Sequence, residues 1–509
     1  MTSKFKITPS LIIFGCFLLF YIFVPNNNQG YDSYSYAISV RDGRDLFHPH
    51  HLIYNLFGFG IYQLFKFTGL GCMKILSLAN SLLAVFTLML IYKIIRHKTG
   101  DLSASLGAIL TGSLFTFWYC ATSVEVNMPA LLFLVLALYF LIVKENSRVS
   151  PWFAYLFVGI GLLFHQHIVL AGIPIFIYYV FKYKSLGKAL KPACPGILGG
   201  ALVYLAAAIQ QASEKSIVGI YGWVTAYAQF GVWGKFRISA FRDAIWGNLK
   251  LYFGGEKIRQ IFYAGHHDYN AVLYIICILL IFIGIAYLFI KSLHYSVKRH
   301  DKITILLAAL FIIYVLFAFW WAPAIDDFWL YPAIIFMIFL FTTIIPGRGD
   351  RAIIIILTVL LIIVNTAFEF VPSSKKANSY IYQGVAAFKR LQLNGNDLVI
   401  TSYSQIRLAY EYYTGIHVPT TCMMYLETGD NNKAMDKYKD RINQAAESGR
   451  VIMFEDEIHP APYRNYLYER FSADDYRNVY NRFEENLALA DSISVHGRTT
   501  YLYKLIKTE

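Results

Sequence analysis

The sequence predicts a polytopic α-helical membrane protein of about 11 transmembrane helices, with a small C-terminal α/β domain outside the membrane. Three observations predict it. Long apolar runs recur from Leu11 to Phe370. Hydrophobic residues make up 57% of the 509 residues and charged residues only 15%, against about 25% charged in soluble proteins. After Pro372 the composition turns mixed and polar. A soluble enzyme, a disordered chain and a disulfide-stapled secreted module are thereby excluded. Five of the six cysteines lie in apolar runs and no CxxC pair exists, so neither a disulfide framework nor a zinc finger is expected.

A membrane helix needs about 20 apolar residues. The expected spans cover roughly 9–25, 72–92, 102–121, 128–143, 152–165, 168–182, 195–211, 269–290, 303–321, 328–345 and 351–368. The first is not read as a secretory signal, because Val24-Pro25-Asn26 is a poor cleavage site and span follows span. Charge sets the orientation. Residues 372–509 hold 17 basic and 17 acidic residues and contribute no net charge. The N-terminus and the loops at 93–101, 144–148, 182–191, 291–302 and 348–351 hold 17 basic and 4 acidic residues. The whole net charge of +13 therefore sits on one face, read as cytoplasmic, and it reports topology rather than nucleic-acid binding. The N-terminus is inside and the C-terminus outside. Segment 51–67 is apolar enough to span, but a span there would flip every later loop, so it is laid on the outer surface. Residues 152–182 read as a hairpin of two short helices, with His165-Gln166-His167 at its outer turn. The organisation is a transmembrane module over 1–371, with outer loops 26–71 and 212–268, followed by an extracytoplasmic α/β domain over 372–509. In that domain 397–401, 450–454 and 499–505 read as strands, and 379–392, 404–413 and 431–447 as helices.

The outer face carries the candidate chemistry. Asp32 lies just past the first span, where a carboxylate at the edge of a low-dielectric region could accept a proton from a hydroxyl. On the residue alone a solvated loop acid is the preferred reading. Seven of the thirteen histidines (His48, His50, His51, His165, His167, His266 and His267) fall in outer positions near spans. Such a cluster could donate hydrogen bonds to a phosphate or ligate a divalent metal, or have no role beyond the interface. Tyr54 follows the His48-Pro49-His50-His51 run. Glu125 sits between two apolar spans, where an ionisable residue is costly and by default functional. Asp326-Asp327 lies between two others, in a stretch that also reads as a plain Trp-rich turn. In the long outer loop Lys235, Arg237, Arg242, Lys250, Lys257 and Arg259 interleave with aromatics. That pattern suits a surface on anionic lipid, or a clamp on a lipid-linked phosphate.

The order of span, outer Asp, His/Pro motif leading an apolar helix, Glu in the next outer loop, basic loop and C-terminal α/β domain resembles the GT-C membrane glycosyltransferases. It is most similar to the bacterial branch of protein O-mannosyltransferases and aminoarabinose-transferase-like enzymes. HPHHLIYNLFGFGIYQLFKF resembles that branch's juxtamembrane helix, and TSVEVNMPALLF its second outer loop. Many relatives carry paired acids in the first loop; here Asp32 is followed by Ser33, which lets Glu125 or Asp42 share the work.

The resemblance implies an enzyme of the cell envelope, multi-pass in the inner membrane, with its active site on the periplasmic or extracellular side. It implies inverting transfer of a sugar from a polyprenyl-phosphate donor to a lipid, glycan or protein hydroxyl. Asp32 and Glu125 are the candidate catalytic acids. His48, His50, His51, Arg237, Arg242, Lys257, Arg259, His266 and His267 are candidates for the donor phosphate, and Tyr54, His165, His167 and Asp327 for other substrate contacts. No cofactor is required by the sequence, though the His and carboxylate cluster could hold a divalent metal, and nucleic acid is not an expected partner. Two other readings compete: a transporter or flippase of lipid-linked glycan, and an O-antigen polymerase or ligase type of enzyme.

Overall fold

A computed structural model describes residues 9–212, 214–225, 234, 236–263, 269–299, 301–344, 347–401, 404–420, 431–455, 486–495 and 498–506. By internal packing the chain forms two units. One comprises residues 1–25 and 39–372, the other residues 26–38 and 373–509.

The first unit is helical. Among the described residues six helices are long and apolar enough to cross a membrane: Cys72–Thr99, Leu186–Gln211, Tyr269–Lys298, Lys302–Trp321, Asp326–Thr343 and Arg348–Ser373. A bent pair, Asp101–Gly112 and Phe115–Thr122, meets at 69° and makes a seventh if the two helices are counted as one span. Shorter apolar helices cover Ser10–Phe23, Asn127–Ile142 and Ser150–Phe164, and Val169–Tyr183 follows the last of these after a 3₁₀ turn at Gln166–Ile168. The chain is thus a multi-pass membrane protein. Each segment expected to span contains a helix, the one over 102–121 broken at Ser113-Leu114.

That break is chemically supported. Interrupting a helix in hydrocarbon frees carbonyls that must find donors. Here Tyr21 Oη donates to the Gly112 carbonyl at 3.1 Å, and Asn365 Nδ2 to the Ser113 carbonyl at 2.7 Å. A Cβ at Gly112 would lie 2.6 Å from the Phe17 ring, so glycine lets the first helix approach without displacing that ring. The helix Asp326–Thr343 is apolar on every side, and all its residues from Trp329 onward are buried, as expected of the unit's central helix. By contrast Leu279, Leu280 and Ile283 on Tyr269–Arg299 are exposed, which suits a lipid-facing helix.

The helix Tyr54–Phe65 has 12 residues. At 1.5 Å per residue it reaches about 18 Å, short of the roughly 30 Å hydrocarbon core. Its length fits a helix lying on the membrane rather than crossing it.

The second unit holds a four-stranded sheet. Strands β1 (Leu398–Ile400), β2 (Val451–Phe454), β3 (Leu487–Val495) and β4 (Arg498–Leu505) pair in the order β1-β2-β4-β3. β1 and β2 run parallel, while β4 is antiparallel to both neighbours. Leu398, Ile400, Ile442, Val451 and Met453 form its core, with Ile442 supplied by the helix Asn431–Ser448. β3 was not anticipated. Its sequence LALADSISV has no clean alternation, and most of it is only half-buried. The segment 26–38 joins this unit through local contacts. The Asn27 N–H donates to the Ser373 carbonyl at 3.0 Å, and the Tyr34 ring packs on Tyr412 and Tyr413.

Candidate functional site

Glu125 lies in the short turn between the helices Phe115–Thr122 and Asn127–Ile142, and it is buried, 6% exposed. The turn is held from outside itself. Asn80, buried on Cys72–Thr99, donates to the carbonyls of both Ser123 and Glu125 at 2.8 Å. Ser81 donates to the Ala121 carbonyl at 2.8 Å, and Tyr331 Oη to Asn127 Oδ1 at 3.0 Å. The Asn80 and Ser81 bonds grip the backbone of the turn, and the Tyr331 bond holds the Asn127 side chain. Tyr54, Tyr119 and Tyr331 lie within electrostatic range of Glu125.

Asp326 and Asp327 open the central helix, where carboxylates meet the positive end of the helix dipole. Asp326 accepts from Thr116 Oγ1 at 2.6 Å and pairs with Lys250 Nζ at 2.9 Å. Asp327 accepts from Cys120 Sγ at 3.6 Å. Tyr119 feels Glu125, Asp327 and Asp326 together, so the three acids form one neighbourhood. The sequence marked Glu125 and Asp327. Asp326 was read together with Asp327 but not named as a substrate contact, Tyr119 and Tyr331 were not singled out, and Lys250 was only one cation among several in the loop.

Five of the seven outer histidines come together in the same unit. Ring centroids are 5.7 Å apart for His48 and His51, 6.0 Å for His48 and His50, 4.7 Å for His51 and His165, and 3.9 Å for His165 and His167. Two hydrogen bonds splice the segments: the Ile53 N–H donates to the Leu163 carbonyl at 3.1 Å, and the Gln166 side chain, through Nε2, to the Pro49 carbonyl at 2.8 Å. The His167 ring reaches the central helix, 4.1 Å from the Tyr331 ring. Burial lowers the pKa of both His48 and His50 to about 4, and holds His51 well below its ordinary value. At neutral pH these rings are uncharged hydrogen-bonding groups rather than cations. Among the described residues no three His, Cys, Asp or Glu side chains form a set able to hold a metal. His266 and His267 lie outside the described residues.

The basic loop is built differently. Arg237 and Arg242 both reach Asp243, each at 3.3 Å, and the Arg242 side chain is 81% exposed. Arg259 pairs with Glu256 at 3.7 Å, and Lys257 Nζ lies 5.8 Å from the centre of the Phe368 ring. Glu369, on a π-turn closing the last helix of this unit, accepts the Lys257 N–H at 3.2 Å. It was not marked by the sequence.

Asp32 belongs to the second unit. It stands in the first turn of the helix Tyr31–Asp42, not in an irregular loop. Its side chain is open to solvent yet hemmed in by protein, and the lost hydration pushes its pKa up to about 6. Asp42 is already engaged, at 2.7 Å from Arg41 Nε and 3.0 Å from Arg44 Nη2, and the Arg41 hydrogen bond holds its pKa low.

Residues 50–210 match the family model of the dolichyl-phosphate-mannose-protein mannosyltransferases. A search of curated proteins gives no match. Among solved structures, the fold is similar to that of ArnT from Cupriavidus metallidurans bound to undecaprenyl phosphate, with 10% identity, a TM-score of 0.57 and 97% of each chain covered. It is also similar to the archaeal oligosaccharyltransferase AglB from Archaeoglobus fulgidus in complex with an inhibitory peptide and a dolichol-phosphate. There the identity is 12%, the TM-score 0.53, and the cover 98% of this chain and 74% of that one. The apo form of the Archaeoglobus fulgidus oligosaccharyltransferase gives 11%, 0.52, 88% and 70%. Over residues 50–210 the chain is thus similar in sequence to that mannosyltransferase family, and as a whole it shares the fold of these membrane enzymes.

Proposed function

We propose that the chain transfers a sugar from a polyprenyl-phosphate donor to a hydroxyl acceptor at the outer face of the inner membrane. The observation that carries this reading is the joining of Glu125, Asp326, Asp327, Lys250 and five histidines in one neighbourhood of a GT-C fold. The donor kind is supported by the relatives, one of which was solved bound to undecaprenyl phosphate and another with a dolichol-phosphate. The topology in this reading is eleven spans, N-terminus inside and C-terminus outside, with residues 1–371 as the membrane module and 372–509 as an extracytoplasmic domain.

The chemistry follows from the donor. The acceptor oxygen attacks the anomeric carbon from the face opposite the phosphate, so the configuration inverts. The bond from that carbon to the phosphate oxygen breaks, and polyprenyl phosphate leaves as an anion. The acceptor's proton passes to a carboxylate. Asp32 is that base, and Glu125 supports the site. An anionic leaving group needs donors aimed at its developing charge. His48, His50 and His51 supply neutral N–H groups, and Arg237, Arg242, Lys257 and Arg259, with His266 and His267, supply the remainder. Tyr54, His165, His167 and Asp327 contact the rest of the substrate. No cofactor enters this scheme.

The test uses purified full-length protein in liposomes with a radiolabelled polyprenyl-phosphate sugar and a membrane extract as acceptor source. Label moving from the polyprenyl lipid to another molecule is expected. Label crossing the bilayer with its phosphate bond intact would make the chain a transporter and overturn the reading.

A further inference from the structure

Beyond the membrane unit, the second unit contains a cavity of about 650 Å³, within the usual range for small-ligand sites, roughly 300–1,000 Å³. Its wall includes Tyr31, Asn396, Arg407, His417, Arg441 and Gln444. The argument turns on which of its charges are already used. Asp397, also in the wall, is spent. It accepts from Arg450 Nη2 at 2.7 Å, from Arg450 Nε at 3.0 Å and from the Asn394 N–H at 2.9 Å. Arg407 has one long contact to Glu411 at 3.4 Å and lies 3.2 Å from His417 Nδ1, while its Nε is buried with no hydrogen-bond partner among the described residues. Arg441 has no ion-pair partner among the described residues. The wall therefore faces an incoming ligand with spare positive charge and spare N–H donors.

The other wall groups narrow the ligand. An arginine fork suits the planar or tetrahedral oxygens of carboxylate and phosphate. Asn396 and Gln444 can each donate and accept, which matches hydroxyls, and the Tyr31 ring offers a flat face to the C–H side of a sugar. Tyr31 is also the residue next to Asp32 in the first turn of one helix. We propose that this cavity is a binding site for an acidic sugar, bearing a carboxylate or a phosphate, and that it receives the acceptor. The second half of that statement rests on the transferase reading; the binding site does not. The domain then selects acceptors by charge, and the sugar held against Tyr31 lies beside the candidate base.

The experiment is equilibrium dialysis of the full-length protein in detergent, without donor, against four radiolabelled probes: glucuronic acid, glucose 1-phosphate, methyl glucoside and inorganic phosphate. At least one acidic sugar should bind, and which of the two binds tells carboxylate from phosphate. Methyl glucoside and inorganic phosphate should each bind at least about tenfold more weakly, for want of charge or of hydroxyl contacts. Arg441→Ala is half-exposed and should fold; it should weaken the acidic probe about tenfold or more. Arg407→Gln should do the same, and Arg407→Lys should restore part of the loss. Equal binding of neutral and acidic sugars, binding of inorganic phosphate as tight as that of the sugar acid, or full binding by Arg441→Ala would each overturn the site. A protein that binds the acidic sugar but never transfers label keeps the site and removes the transferase reading. One that transfers label but binds no acidic sugar does the reverse.

Discussion

Glu125 and Asp32 are both acids at helix ends, yet they are held in opposite ways. Glu125 sits in a buried turn whose backbone is clamped by Asn80 and Ser81, among Tyr54, Tyr119 and Tyr331. Asp32 is open to solvent, in the first turn of a helix whose start packs with the C-terminal unit. An acid buried in a rigid shell is suited to hold fixed groups in place. An acid open to solvent in a hemmed-in spot, with its pKa pushed up to about 6, is suited to exchange protons with an arriving hydroxyl.

The comparison can be broken or sharpened by substitution. The largest effect within the buried neighbourhood should come from Glu125→Gln, with a loss of roughly 10²-fold in turnover, the lower end for a lost acid–base group. The protein should stay folded, since the Asn80 bonds go to the Glu125 carbonyl and not to its carboxylate. Asn80→Ala should do the reverse. It strips a donor from two buried carbonyls and should cost about 1–3 kcal/mol of stability, read as a lowered melting temperature. Lys250→Ala removes the cation beside Asp326 and should destabilise by a similar amount, about 1–3 kcal/mol. Lys250→Ala with Asp326→Asn should recover much of that loss, because no unpaired carboxylate is left. If the double variant is no better than the single one, the pair is not the reason Lys250 matters.

Acid should test the histidine cluster next. His48 and His50 have pKa values near 4, against an ordinary 6.5, so the unfolded chain takes up their protons first. Their contribution is intact above about 6.5 and is lost as pH falls toward about 4. Asp32 works in the opposite sense between about 6 and 3.8, so the measurement compares the protein with its His48→Gln, His50→Gln variant. The variant's melting temperature should fall less steeply over that range; equal slopes would show that these rings are not the acid-sensitive groups. The smallest effects belong to the exposed loop. Arg242→Ala should reduce donor use only about two- to threefold, and less still at high salt, because exposed charges are screened.

Much of this was legible in the sequence, and the exceptions share a cause. The apolar runs mark the helices because period and length are local properties, and the outer histidines and Glu125 were visible as costly residues between spans. Local pattern cannot show partners far along the chain. The break at Ser113-Leu114 depends on Asn365, and Asp326 takes its cation from Lys250, 76 residues earlier. Arg237 and Arg242 read as part of a surface on anionic lipid or of a phosphate clamp, and the pattern did not show that both turn to Asp243. Residues 26–38 read as an outer loop of the membrane module, and only tertiary packing assigns them to the second unit. β3 escaped because a half-buried strand of mixed polarity carries no period.

The most direct measurement is the pH dependence of sugar transfer by Asp32→Asn beside Glu125→Gln in the same liposomes. The account predicts that the unaltered enzyme loses rate as pH falls through about 6, as Asp32 takes up its proton. It predicts that Asp32→Asn is the more damaged variant, by about 10²–10⁴-fold, and that its residual rate no longer follows that step. A near-normal rate for Asp32→Asn beside an inactive Glu125→Gln would contradict it, and would move the base to Glu125.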